Sequence, residues 1–376
     1  MAEGLQHTRA MGDDETTVNS QYLPSPITDD VPSKQLPEEL IVDILLKLPV
    51  RSLLQCKCVC KSWKTLISNP QFTKTHFLNS IDSPQLFSSG IGVRRNPNEI
   101  LSYPVKPLLE NPSNSITPLN FSMEHCYDIL GSCNGLLCLY DIYQHNFTLW
   151  NPSINLKSKT SPTIILSDTE IIIDYGFGYD QINDKYKVLV FVLHEYEKTA
   201  RIYTFGENIW NTFPNFPCYL NSQLGIYLSG TLNWIGNKDN EYVLISIDLE
   251  KEIYGEVLLP RHDDADNVRS THLSVLSDCL CVSFDYKTHW TVWMMKEYGV
   301  AESWTKLMII PQQEFKLIWK PLFMSENGAV LVRTMRTAGS TLVRYDLNNG
   351  QIDCLAILVN LGKVIIHHES LISPQR

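Results

Sequence analysis

The chain has 376 residues, is 44% hydrophobic and 19% charged, and carries a formal net charge of -10. That length fits two or three folding units, and the acidity argues against a general binder of nucleic-acid backbones, which needs clustered Lys and Arg. No apolar run approaches the length of a membrane-spanning helix, so no membrane contact is expected. Ten Cys lack paired CxxC spacing, and the opening MAEGLQHTRAMGDDE has no secretory pattern. Together these predict reduced thiols and a cytoplasmic or nuclear location.

Residues 1–35 hold two basic and six acidic residues and three prolines, Pro24, Pro26 and Pro32. Such a segment buries too little apolar surface to offset ordering entropy, which predicts a disordered acidic leader. Residues 36–78 reverse the balance, with six basic and three acidic residues. Here three short helices are predicted. LPEELIVDILLKLP places Leu40, Ile44, Leu45 and Leu48 at helical spacing after Pro37, with Glu38 and Glu39 in the first turn, and Pro49 stops the helix. RSLLQCKCVCKSWKTLISN carries Leu53, Leu54, Val59, Trp63, Leu66 and Ile67, and Pro70 opens a third helix through Phe77. Cys56, Cys58 and Cys60 stand at every second position. Such positions share no helix face, so the expectation is buried small hydrophobes rather than a metal site. A unit of this size is marginal alone and calls for a partner surface.

From about residue 82 to 372 the texture becomes short apolar runs punctuated by Gly, Asn, Asp and Pro, which predicts strands. They include LLCLYD (136–141), FTLWNPS (147–153), YKVLVFVL (186–193), ARIYTF (200–205), TLNWIG (231–236), VLISIDL (243–249), CLCVSFD (279–285), WTVWMM (290–295), AVLVRTM (329–335) and TLVRYDL (341–347). Asn349-Gly350 is the strongest hairpin signal. Turn-then-strand openings anchored at Gly135, Gly178, Gly230, Asp278 and Gly328 suggest a repeat of roughly 50 residues, the period of kelch-type propeller blades. Tryptophan recurs in LWNPS, IWNTF and SWTKL. The expected fold is α+β and multidomain: a small helical unit, then an all-β propeller-like domain of about six blades whose first and last segments share one. A closed barrel or sandwich is the alternative.

Residues 36–72, LPEELIVDILLKLPVRSLLQCKCVCKSWKTLISNPQF, closely resemble an F-box. GSCNGLLCL, LWNPS, YGFGYD, LSGTLNWI, VWMMKEYGVAESWTKL and the YDL segment resemble the F-box associated domain of plant F-box/kelch-repeat proteins. The resemblance implies a non-catalytic substrate-recognition subunit of an SCF-type ubiquitin ligase. The F-box would dock a Skp-type adaptor and, through it, a cullin–RING ligase, while the β domain holds a target protein. By resemblance, adaptor contact falls to Leu36, Pro37, Leu40, Ile44, Leu45, Leu48, Leu53, Leu54, Val59, Cys60 and Trp63. The plainer reading is that several of these, Trp63 and Val59 especially, only pack the unit internally. Two other classes compete: a propeller enzyme, and a scaffold or carbohydrate-binding F-box protein outside a ligase.

No other constellation announces chemistry, so no catalytic residue, metal or cofactor is expected. RHDDADNVRSTH (261–272) lacks EF-hand and HExxH spacing and reads as a solvated loop. The glycines of GFG (176–178) lack a following helix and read as close backbone approach within a strand. His367-His368 reads as a strand end. Tyr175, Phe177, Trp234, Trp290, Trp293 and Trp319 read mostly as core, with some left as anchors for a target.

Overall fold

A computed structural model describes residues 36–79, 84–89, 98–195, 197–213, 219–220, 224–239, 241–261, 268–311, 318–336, 339–355 and 363–375. The expected leader over 1–35 and half of the 261–272 loop, residues 262–267, lie outside them. Two compact units are distinguished, Met1–Val42 and Asp43–Arg376.

The helical segment contains four helices, α1 (Glu38–Leu46), α2 (Val50–Cys56), α3 (Lys61–Ser68) and α4 (Pro70–Asn79). The middle run, expected to be one helix, is two. Cys60 adopts an extended conformation (φ -156°, ψ 166°) that no helix can pass through, and α3 restarts behind it. The cysteine expectation fails at the same break. Cys58 and Cys60 are exposed and Cys56 is half-buried, because the linker between α2 and α3 faces solvent. Asn69 caps α4, its Oδ1 accepting from the Gln71 amide at 2.7 Å, and Pro70 occupies the first turn, where no N–H is needed.

Twenty-five strands follow among the described residues, in six antiparallel sheets. The first begins with β1 (Gln85–Ser89), β2 (Glu99–Pro104) and β3 (Leu119–Ser122). The second is β4 (Tyr127–Cys133), β5 (Leu136–Asp141), β6 (Asn146–Asn151) and β7 (Leu156–Lys157). The third is β8 (Glu170–Asp180), β9 (Lys185–His194), β10 (Glu197–Thr204) and β11 (Trp210–Phe213). The fourth is β12 (Tyr219–Leu220), β13 (Ile226–Leu228), β14 (Thr231–Lys238), β15 (Glu241–Asp248) and β16 (Ile253–Leu258). The fifth is β17 (Val268–Leu276), β18 (Cys279–Tyr286), β19 (His289–Met295) and β20 (Trp304–Pro311). The sixth is β21 (Ile318–Met324), β22 (Ala329–Arg336), β23 (Gly339–Asp346) and β24 (Ile352–Cys354). Finally β25 (Val364–His367) returns to the first sheet and pairs with β1, Ser88 opposite Val364 and Gln85 opposite His367.

The inner strands touch in a closed circle, β4 to β8 to β13 to β17 to β21 to β25 and back to β4. This is a six-bladed propeller whose first blade is completed by the last strand. An apolar cluster fills each seam between neighbours. Leu136 and Phe147 meet Val188 and Val190 between the second and third blades, and Leu86 and Leu101 meet Leu331 and Leu342 between the sixth and first. Leu232 and Trp234 pack on Leu189 and Phe191, Leu273 and Val282 on Ile235 and Leu244, Trp290 on Trp319, and Phe87 on Trp150.

The repeat is more regular than the sequence anchors implied. Gly135, Asp184, Gly230, Asp278 and Gly328 all have left-handed φ, and each ends the turn into its blade's second strand. Gly178 is therefore the wrong anchor for the third blade: it lies within β8, and the turn belongs to Asp184. A Cβ on neighbouring Gly176 would sit 2.6 Å from the Trp234 ring, the close approach read from GFG. Asn349-Gly350 does form the β23–β24 turn. Helix α5 (Val105–Glu110) interrupts a region expected to lack helices. Its buried Val105, Leu108 and Leu109 cover the seam between the sixth and first blades.

Candidate functional site

Five apolar side chains of the helical segment turn inward. Leu45, Val50, Leu53, Ile67 and Phe72 are buried. The His76 ring, also buried, donates from Nε2 to the Leu48 carbonyl at 2.8 Å, tying α4 to the chain just beyond α1. An inward side on helices this short leaves the opposite side apolar only if the sequence supplies more apolar residues than the core can take. It does so here.

Leu36, Leu40, Ile44 and Val59 are 58%, 49%, 51% and 65% exposed, and Leu40 and Ile44 stand one turn apart along α1. Pro37 and Cys60 are also exposed, and Leu48, Leu54 and Trp63 are half-exposed. Two of the eleven residues assigned to adaptor contact turn inward instead: Leu45 at 1% and Leu53 at 0% exposure belong to the core. Leu45 shares α1 with the exposed Leu40 and Ile44, and Leu53 shares α2 with the half-exposed Leu54. Of the two residues that the plainer reading named as internal, Val59 is exposed and Trp63 is half-buried. Val59 is the most exposed of the set, because the α2–α3 linker carries it outward. The Cys60 thiol is held below its ordinary range, first by the Ser62 hydroxyl at 3.1 Å and then by the amide of Trp63.

Helix α4 also seats on the propeller. Lys74 pairs with Asp184, at the β8–β9 turn, at 2.9 Å, and Phe77 packs against the apolar cluster between the second and third blades. The sequence marked Phe77 as the end of a helix but gave no sign that this helix seats on the propeller, since Asp184, the partner of Lys74, is 110 positions from it and reads as an ordinary turn residue.

Phe177, Trp234, Trp290 and Trp319 are buried core, and Tyr175 and Trp293 are half-buried. His367 ends β25 and is buried. In the 261–272 segment His272 lies on β17, and His262 to Asp266 lie outside the described residues. Among the described residues no group of three or more His, Cys, Asp or Glu is arranged to hold a metal ion.

Comparison with known proteins decides the family. The model for the F-box associated beta propeller domain matches residues 99–345, and the F-box-like model matches residues 34–79. The chain belongs to the F-box proteins with an F-box associated propeller. F-box/kelch-repeat protein At3g23880 of Arabidopsis thaliana is 32% identical over 336 residues, covering 84% of this chain and 89% of that one. F-box protein CPR1 of the same plant is 24% identical over 361 residues, covering 86% and 84%. Among solved structures, TolB from Acinetobacter baumannii aligns with a TM-score of 0.46 at 9% identity over 76% of this chain and 66% of that one. F-box homologues of this kind are typically non-catalytic adaptors, with the F-box N-terminal and the propeller C-terminal.

Proposed function

We propose that this F-box protein is the substrate-recognition subunit of an SCF-type ubiquitin ligase in the cytoplasm or nucleus. The F-box docks a Skp-type adaptor and thereby a cullin–RING ligase, and the propeller holds a target protein for ubiquitin transfer by other subunits. The work of the chain is then proximity alone: it raises the local concentration of target at a ubiquitin-charged enzyme, with no bond made or broken by its own side chains.

The observation that carries this reading is the set of exposed apolar residues Leu36, Leu40, Ile44 and Val59 on a segment that buries Leu45, Val50, Leu53, Ile67 and Phe72. Exposed apolar surface of this kind marks a partner site, and the net positive charge of residues 36–78 favours approach to an acidic partner. The two further exposed assignments at Pro37 and Cys60 and the half-exposed Leu48, Leu54 and Trp63 extend it. Leu45 and Leu53 support the surface from within.

The test is capture of the full chain by a purified Skp-type adaptor. Leu40→Asp and Ile44→Asp should each weaken capture by about 30-fold or more, the hot-spot scale, while the melting transition stays where it was. Leu45→Asp should instead lose the helical unit itself, because it buries an unpaired carboxylate. Full capture by Leu40→Asp and Ile44→Asp together would remove the adaptor assignment.

A further inference from the structure

We propose that the end of the propeller that carries α4 docks a lysine-rich segment of a partner protein across its third, fourth and fifth blades.

In a blade of antiparallel strands the turn from first to second strand and the turn from third to fourth lie at one end, and the turn from second to third lies at the other. Turns of the first kind adjoin one another round this part of the ring. Lys187, just past the β8–β9 turn, reaches Glu252 in the β15–β16 turn at 2.9 Å. Tyr298, between β19 and β20, bonds through its hydroxyl to Thr231 at 2.8 Å and Ser246 at 2.6 Å on the fourth blade. Helix α4 meets this end through Lys74 and Asp184.

Charge collects there. Residues 180–185, 205–209, 229–230, 248–252, 277–278 and 296–303 hold nine acidic and three basic residues. Four of the acids already have cations, each a lysine. Asp180 and Glu252 hold the buried Lys187 at 3.1 and 2.9 Å, Asp184 takes Lys74 at 2.9 Å, and Asp248 meets Lys251 at 3.4 Å. The other five, Glu207, Glu250, Asp278, Glu297 and Glu302, are exposed and have no ion-pair partner among the described residues. Like charges gathered on one face repel each other and draw cations toward it.

Apolar residues stand among these acids rather than apart from them. Ile182, Ile209 and Ile253 are 71%, 62% and 57% exposed, and each lies within two positions of an acid, Asp184, Glu207 and Glu252 in turn. Exposed apolar residues grouped in this way mark an interaction surface, and the mixture selects the partner. A metal ion needs carboxylates converging on one point, and among the described residues no such group is found. A lysine side chain offers an ammonium to the carboxylates and an aliphatic stem to the isoleucines. Acids spread over several turns call for several lysines along one chain. The surface belongs to the propeller alone and does not depend on whether the F-box docks an adaptor.

The experiment is fluorescence anisotropy of a rhodamine-labelled peptide of lysine and leucine, titrated with the full chain at about 0.15 M salt, where charges farther off than about 8 Å are screened. The parent should bind it, and should not bind the same peptide with glutamate for lysine. Glu207→Lys, Glu250→Lys and Glu297→Lys in one chain should weaken binding about 10-fold or more. Glu195→Lys, Glu197→Lys and Glu241→Lys, at the other end of the third and fourth blades, change the net charge equally and should leave binding within about twofold. Ile182→Ser with Ile209→Ser should weaken it about threefold at unchanged charge. The melting midpoint of each variant should match the parent. Absence of binding by the parent, equal binding by the two sets of charge reversals, or a dimer of the chain that Glu250→Lys dissociates while the peptide stays unbound, would overturn the proposal.

Discussion

Single residues here act through what burial forbids. The His367 imidazole is buried at the end of β25, bonded through Nδ1 to the Ser132 hydroxyl at 3.2 Å, and burial followed by His368 presses it down to about 3. His272 is pressed to about 4. Both stay neutral in the folded protein while the unfolded chain takes up their protons below about 6.5. Stability is therefore fully present above pH 6.5 and is lost as pH falls from there toward 4 and then 3. Denaturant titrations across this range should show the loss, on the order of a few kcal/mol for His367, and His367→Phe should flatten the slope. Asn151 makes a different demand. Its Nδ2 reaches the carbonyls of Ser370 and Ile372 at 3.0 and 2.8 Å, so Asn151→Ala strands two buried acceptors and should lower stability by about 1–3 kcal/mol in urea unfolding. The sequence marked Asn151 only as a neighbour of a recurring tryptophan. Its partners lie 219 and 221 positions away, and no local pattern encodes such a contact.

At the scale of elements, the strands that could be read in advance share one property. LLCLYD, YKVLVFVL, TLNWIG, CLCVSFD and AVLVRTM are the second strands of the second to sixth blades, and the other five runs supply the third strands. Middle strands are covered by neighbouring blades on both faces, so both faces are apolar and the run is continuous. Inner and outer strands escaped notice for the opposite reason. Inner β17 carries Arg269, Ser270, Thr271, His272 and Ser274, and five of the six residues of outer β16 are exposed. The helical unit was legible as helices, but its inward and outward sides were not: Leu45 and Ile44 are adjacent and chemically alike, yet the first is buried and the second exposed. Two of the recurring tryptophans prove to be staples between blades. Trp210 on β11 donates its indole N–H to the Pro162 carbonyl at 3.0 Å, and Trp304 on β20 donates to Leu258 at 3.1 Å. Trp304→Phe keeps most of the burial and should cost about 0.5–1.5 kcal/mol in thermal unfolding. Trp304→Ala should cost about 3–5 kcal/mol. The third tryptophan, Trp150, lies wholly inside the seam of the first two blades and makes no such bond.

For the whole molecule, the decisive contact is the return of β25 to the first blade. Without Val364 to His367, β1 loses its inner partner, and the seam clusters on both sides of the first blade lose Val364 and Ile365. A chain ending at Lys363 should therefore show no single cooperative transition in calorimetry, while the full chain does. Helix α4 is seated by Lys74 and Phe77 on the second and third blades, so it should remain attached to whatever part of the ring survives. This seam also orders events in time. During synthesis the residues up to Asn79 emerge first and contain every helix of the docking unit. Ser88, soon after, must wait for Val364 before its strand has a place to settle, and Ser132 waits 235 positions for His367. Pairing across such separations is slow compared with helix formation. A nascent chain thus completes its F-box helices long before it owns a closed ring.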